Sequence, residues 1–114
     1  MRALLVAALL ALSSVCSGAA STSRTYTIFG AGEVSCETWT TDHANQLHRG
    51  AQMEEEQWVL GFLSGTGYAG IGDSLHNMDW DGVTMWISNY CSSNPTKEII
   101  DAAEAFLAFR KSSS

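Results

Sequence analysis

The sequence predicts an all-α fold, a small four-helix bundle with orthogonal or antiparallel packing, and three observations carry that expectation. Val83, Trp86, Ile87, Tyr90 and Cys91 recur at i, i+3, i+4, i+7 and i+8, which is one apolar stripe on a helix. Three other segments carry similar stripes, joined by short loops, as antiparallel helical domains do. Only Thr25-Tyr26-Thr27-Ile28-Phe29 alternates polar with apolar, and it reads as a short extended arm.

The first segment reads as something the mature protein lacks. Arg2 precedes an apolar run from Ala3 to Leu12, and small residues end it at Gly18-Ala19-Ala20. This is the pattern of a secretory signal peptide over residues 1–20, and the run is shorter than the roughly 20 residues of a membrane span. A buried N-terminal helix is the alternative, and lipoprotein processing at Cys16 a third. Cleavage after Ala20 leaves 94 residues, enough for one small domain, with a formal charge of −7. Such a surface repels nucleic acid and anionic lipid, and no second apolar segment reaches membrane length, so membrane insertion is not expected. The expected location is periplasmic or secreted. There Cys36 and Cys91 form an even pair that reads as a disulfide, two buried free thiols being the alternative.

Residues 21–34 form the expected arm, with Tyr26 and Ile28 as its adhesive side and Gly30 and Gly32 breaking the chain. A single helical domain then spans 35–111, with 112–114 as a disordered tail. Ser35 is the expected N-cap of a first helix whose stripe is Cys36, Trp39, His43 and Leu47, stopped by Arg49-Gly50. The second helix runs from about Gln52 to Gly65 or Tyr68, with Met53, Trp58, Phe62 and Leu63 apolar and Glu54-Glu55-Glu56 a solvated first turn. Gly61 and Gly65 share a side with Trp58 and Phe62, which suggests close approach of a neighbour. Gly67, Gly70 and Gly72 make a loop with Asp73. Asp79 or Asp81 caps the helix that ends near Cys91. Asn94-Pro95 reads as an N-cap and first-turn proline, so the last helix is expected from Pro95 to about Arg110, carrying Ile99, Ala103, Phe106 and Leu107 inward.

No pattern supports catalysis, and none supports a bound cofactor or metal. Gly65-Thr66-Gly67-Tyr68-Ala69-Gly70 matches a dinucleotide fingerprint only in letters, because it follows a helix rather than a strand. Asp79-Trp80-Asp81-Gly82 resembles a calcium-loop fragment whose ligand series stops at Val83, so a helix cap is the better account. His43 and His48 are five apart, on different sides of one continuous helix, and His76 stands alone. Trp39, Trp58 and Trp86 fall on inward stripes. Trp80 lies between two aspartates, which makes it the first candidate for contact with a protein partner.

With Cys36-Glu37-Thr38-Trp39 opening one helix and Cys91 closing another, residues 35–109 resemble the HdeA/HdeB group of small periplasmic acid-stress chaperones. That resemblance implies a compact helical fold with one disulfide, a homodimer that loosens in acid, and capture of protein clients on newly exposed apolar surface. Full protonation takes the mature charge from −7 to +8, the kind of change that drives acid opening. The family is lysine-rich, whereas Lys97 and Lys111 are the only lysines here. The run Trp58-Val59-Leu60-Gly61-Phe62-Leu63-Ser64-Gly65, with Cys91 and Asn94-Pro95 further on, is also similar to the Tai-type amidase-immunity proteins of type VI secretion. That similarity implies that the Gly65–Asp73 loop, with Gly67, Tyr68 and Asp73 as its contact residues, is inserted into the active site of a peptidoglycan amidase. A small enzyme is a third class.

Overall fold

The structure, a computed structural model, describes residues 24–113. The expected signal peptide, Cys16 and Ser114 lie outside the described residues. Four helices follow in order: α1 (Cys36–His43), α2 (Arg49–Tyr68), α3 (Trp80–Ser93) and α4 (Ile99–Ser112). Short 3₁₀ turns at Gly30–Glu33 and Gln46–His48 precede α1 and α2. The described residues contain no strand, only one antiparallel bridge between Ser35 and Glu98. None of their helices is long and apolar enough to cross a membrane.

Helices α1 and α4 each pack against both α2 and α3. The core between them holds Trp39, Val59, Leu63, Val83, Ile87, Ile99, Ala103 and Phe106, with Trp58 and Trp86 packed against it. The disulfide Cys36–Cys91 crosses this core from the first residue of α1 to the last turn of α3, with Cα atoms 4.6 Å apart and both residues fully buried.

Local chemistry explains most of the helix boundaries. Ser35 caps α1 by accepting from Thr38 N at 3.1 Å, and Asp79 caps α3 by accepting from Gly82 N at 2.7 Å. Gly70, at φ +76°, ends α2 in a Schellman motif: Ile71 N donates to Thr66 O at 3.0 Å and Gly70 N to Gly67 O at 3.1 Å. The letters G-x-G-x-x-G are therefore a helix C-terminus.

Several expectations need correction. Helix α1 stops at His43 because Gln52 Nε2 donates to the carbonyls of Asp42 (2.7 Å) and Asn45 (2.9 Å), closing the helix end. Leu47 thus lies in a 3₁₀ turn at 92% exposure instead of facing inward, and Arg49-Gly50 opens α2 rather than stopping α1. Met53 is exposed, and Glu55 is buried in the stripe Glu55, Val59, Leu63 and Thr66. A Cβ at Gly61 or Gly65 meets nothing within 4 Å, so neither glycine serves a close approach.

The last helix starts at Ile99, not Pro95. Asn94 caps the end of α3, its Nδ2 donating to Tyr90 O at 2.8 Å. The carbonyls of Pro95 and Lys97 accept from Glu37 N (3.1 Å) and Cys36 N (2.7 Å), the orphan donors of α1. In return Val34 O accepts from Ile99 N at 2.9 Å. Asp101 completes the start of α4 by accepting from Glu98 N at 2.9 Å. At the other end α4 runs on through Ser112, the first residue of the expected tail.

Gly32 is where a side chain is least tolerable. Its added Cβ would stand 2.2 Å from Trp58 Cζ2, and Trp58 is held by its Nε1 donating to Phe29 O (2.9 Å) and by stacking on Phe62 at 5.5 Å. Gly32→Ala is expected to cost about 1–3 kcal/mol through overpacking. Gly61→Ala, in open space within a helix, is expected to gain up to about 1 kcal/mol. Urea unfolding midpoints of the two variants check both signs.

Candidate functional site

Two features stand out: a buried carboxyl cluster and a tethered arm. The cluster follows from the early end of α1. Because the chain breaks after His43, His43 and His48 do not fall on opposite sides of one helix; both reach the same group of acids. His48 Nδ1 lies 2.7 Å from Asp42 Oδ1. The His43 ring stacks on Trp39 with centroids 3.9 Å apart. Its Nδ1 donates to Trp39 O at 2.9 Å, and its Nε2 lies 3.0 Å from Glu56 Oε1. The other Glu56 oxygen accepts from Trp80 Nε1 at 2.6 Å.

Glu55 sits at the centre and is 3% exposed. Its Oε2 has no hydrogen-bond partner; His43 Nδ1, at 3.5 Å, is committed to the Trp39 carbonyl. Burial pushes its carboxyl up to about 8, helped by the charge and hydrogen bonding of Asp42 and then by the charges of Glu54 and Glu56. Sequence reasoning took Glu55 for part of a solvated turn. The available signal was its position four residues before Val59 and eight before Leu63. A cleft of about 220 Å³ lies beside the cluster, lined by Gly30, Ala31, Val34, Thr38, Asp42, Ala51, Glu54 and Glu55.

The arm supplies Gly30, Ala31 and Val34 to the lining of that cleft. Arg24 donates from Nη1 to Glu98 Oε2 at 2.6 Å and from Nη2 to Asp101 Oδ1 at 2.8 Å. Tyr26 donates its hydroxyl to Glu104. Partial burial opposes the charge on Arg24, but its bonds to Glu98 and Asp101 outweigh that and raise its pKa. Arg24 and Tyr26 are thus tied to the carboxylates of Glu98, just before α4, and of Asp101 and Glu104 within it. Its 3₁₀ turn buries Ala31 and Gly32 against the helices, and Tyr26 and Ile28 are exposed and half-buried.

The sequence-based contact candidates do not come together as one group. Trp80, 41% exposed, belongs with the carboxyl cluster through Glu56. Tyr68 (97% exposed) and Gly67 lie in the last turn of α2, and exposed Asp73 follows, 3.7 Å from His76 Nδ1. Among the described residues no three His, Cys, Asp or Glu side chains converge in a way that would hold a metal ion. Comparison with protein-family models, with curated proteins and with solved structures finds no match for this chain.

Proposed function

We propose that this is an exported acid-responsive chaperone of the HdeA/HdeB kind, acting by protein contact rather than catalysis, with its arm as the part that acid releases. The observation that supports it is the chemistry of the tethers. Arg24 and Tyr26 are held by Glu98, Asp101 and Glu104, and at pH 2–3 carboxylates are protonated while the guanidinium keeps its charge. Acid therefore removes the negative end of each tether. Under the arm lies Trp58, stacked on Phe62, apolar surface suited to an unfolded client.

The test is aggregation of a model client at pH 2.5 and pH 7, with and without the protein. Suppression in acid alone is expected. Arg24→Ala removes partly exposed ion pairs worth about 1 kcal/mol or less, so it should shift client binding toward neutral pH and raise the open population up to about fivefold. A protein that leaves client aggregation unchanged in acid overturns the reading.

A second reading, a Tai-type immunity protein that inhibits a secreted peptidoglycan amidase, draws support from the end of α2. Tyr68, the last residue of α2, is 97% exposed, and Ile71 just after the helix is half exposed. Inhibition of such an amidase by the wild-type protein, lost in Tyr68→Ala, would favour it over the first.

A further inference from the structure

We propose that one proton held between His43 and Glu56 is a pH-sensitive latch on Trp80, closed while the proton is held and open once rising pH removes it. The proposal goes beyond the acid-release reading and does not depend on it. It rests on what each ring nitrogen faces. His43 Nδ1 lies 2.9 Å from the Trp39 carbonyl, and Nε2 lies 3.0 Å from Glu56 Oε1. A carbonyl and a carboxylate only accept, so these two contacts need a proton on each nitrogen, one more than a neutral imidazole carries. His48 is the internal contrast. Its Nδ1 faces Asp42 Oδ1 at 2.7 Å, and its Nε2 faces the donor Asn45 Nδ2 at 3.2 Å. Leu47 N donates to Asn45 Oδ1, which fixes which way that amide points. A neutral His48 ring therefore satisfies both of its contacts, and a neutral His43 ring does not.

The surroundings favour the extra proton. The His43 ring stacks on Trp39 with the two planes 16° apart, and the face of an indole attracts a cation. The side chains of His43 and Glu56 are mostly buried, so their ion pair is little screened. Glu55 and Glu56 face His43 from α2, with Glu54 next along that helix; Asp42 adjoins it on α1 and is met by His48 from the turn between them. From α3 come Trp80 and, through Trp39, Ser88, both uncharged, while Asp79 beside Trp80 is committed to Gly82 N. The second Glu56 oxygen accepts from Trp80 Nε1 at 2.6 Å, so His43 and Trp80 hold one carboxylate from two sides. When the proton leaves to solvent, the Nε2 lone pair faces a carboxylate oxygen and the two repel. Glu56 turns away, and Trp80, the first residue of α3, loses its acceptor. A proton bound by the folded network stabilises it at lower pH, and that contribution is lost as pH rises.

The experiment follows the His43 ring and the Trp80 indole N–H by NMR between pH 5 and pH 9, in isotope-labelled intact protein carrying Glu55→Gln. That background removes the neighbouring carboxyl, which itself titrates at about 8. The Trp80 indole proton is expected to move upfield on raising the pH, as a released N–H does, with the same midpoint as the His43 ring. His43→Gln puts a permanent neutral donor opposite Glu56 and should abolish the Trp80 step. His48→Gln should leave the step in place. Where His43→Gln does not fold, the common midpoint in the Glu55→Gln protein decides alone. Different midpoints for His43 and Trp80, a Trp80 proton that stays put or moves downfield, a step that survives His43→Gln, or one lost in His48→Gln each overturn the proposal. None of these results bears on client capture at pH 2.5, so the two ideas fail separately.

Discussion

Replacing Cys36 and Cys91 together with alanine is expected to lower stability by about 4 kcal/mol. The bridge spans 55 residues, and opening it restores to the unfolded chain the freedom of a loop of that length. Both residues are fully buried beside Trp39 and Ile87, so small voids left by the lost sulfurs add to the cost. For a domain this size, whose whole stability is of the order of 5–10 kcal/mol, that is a large share. The melting temperature should fall by roughly 15–30 °C. Thermal unfolding of the oxidised, reduced and double-alanine forms checks it. If reduction leaves the melting temperature unchanged, the clasp contributes nothing and its account is wrong.

Glu55→Gln should act in the opposite direction, and only over part of the pH range. The carboxyl is raised from its ordinary 4.5 to about 8 by burial and by neighbouring acids, so the folded protein holds a proton that the unfolded chain has released between those values. Below about pH 4.5 both states are protonated, and Glu55 contributes its full share. As pH rises toward 8 that contribution is lost. Glutamine keeps the neutral form at every pH and can donate toward Asp42 as the protonated acid does. The variant should match wild type near pH 4 and exceed it by a few kcal/mol at pH 8. Denaturant midpoints at pH 4, 6 and 8 measure it. A difference that stays constant with pH would sink the assignment.

The same reasoning separates two parts of the molecule under acid. Protonation suits Glu55 and the helical core around it, and the disulfide is indifferent to pH. The arm is held by the ion pairs of Arg24 with Glu98 and Asp101 and by the Tyr26 bond to Glu104. Under the proposed reading, acid is expected to open the arm on a retained core.

The parts of the fold legible in the sequence were those decided by neighbours in the chain. The α3 stripe, the Ser35 and Asp79 caps and the pairing of Cys36 with Cys91 rest on spacing, short-range hydrogen bonds or a count of two. What misled was contact between distant segments. Asn94-Pro95 has the letters of a helix start, yet its residues serve the ends of α3 and α1. Leu47 belongs to an apparent stripe that Gln52 cuts short. The carboxyl cluster was missed for the same reason. A helix continued through residue 47 points His43 and His48 apart, and a glutamate between two others has the look of a solvated turn. Placing the end of α1 at His43 brings all of them together.

The exchange of carbonyls between residues 34–37 and 95–99 has a consequence for how the molecule assembles. At eight residues α1 falls short of the roughly 12–15 an isolated helix needs, and its leading donors are satisfied by a turn that is made near the far end of the chain. Ser35 caps one of its donors locally, but those of Cys36 and Glu37 find partners only when residues 95–97 are in place, so α1 is expected to form together with the turn before α4 and not ahead of it.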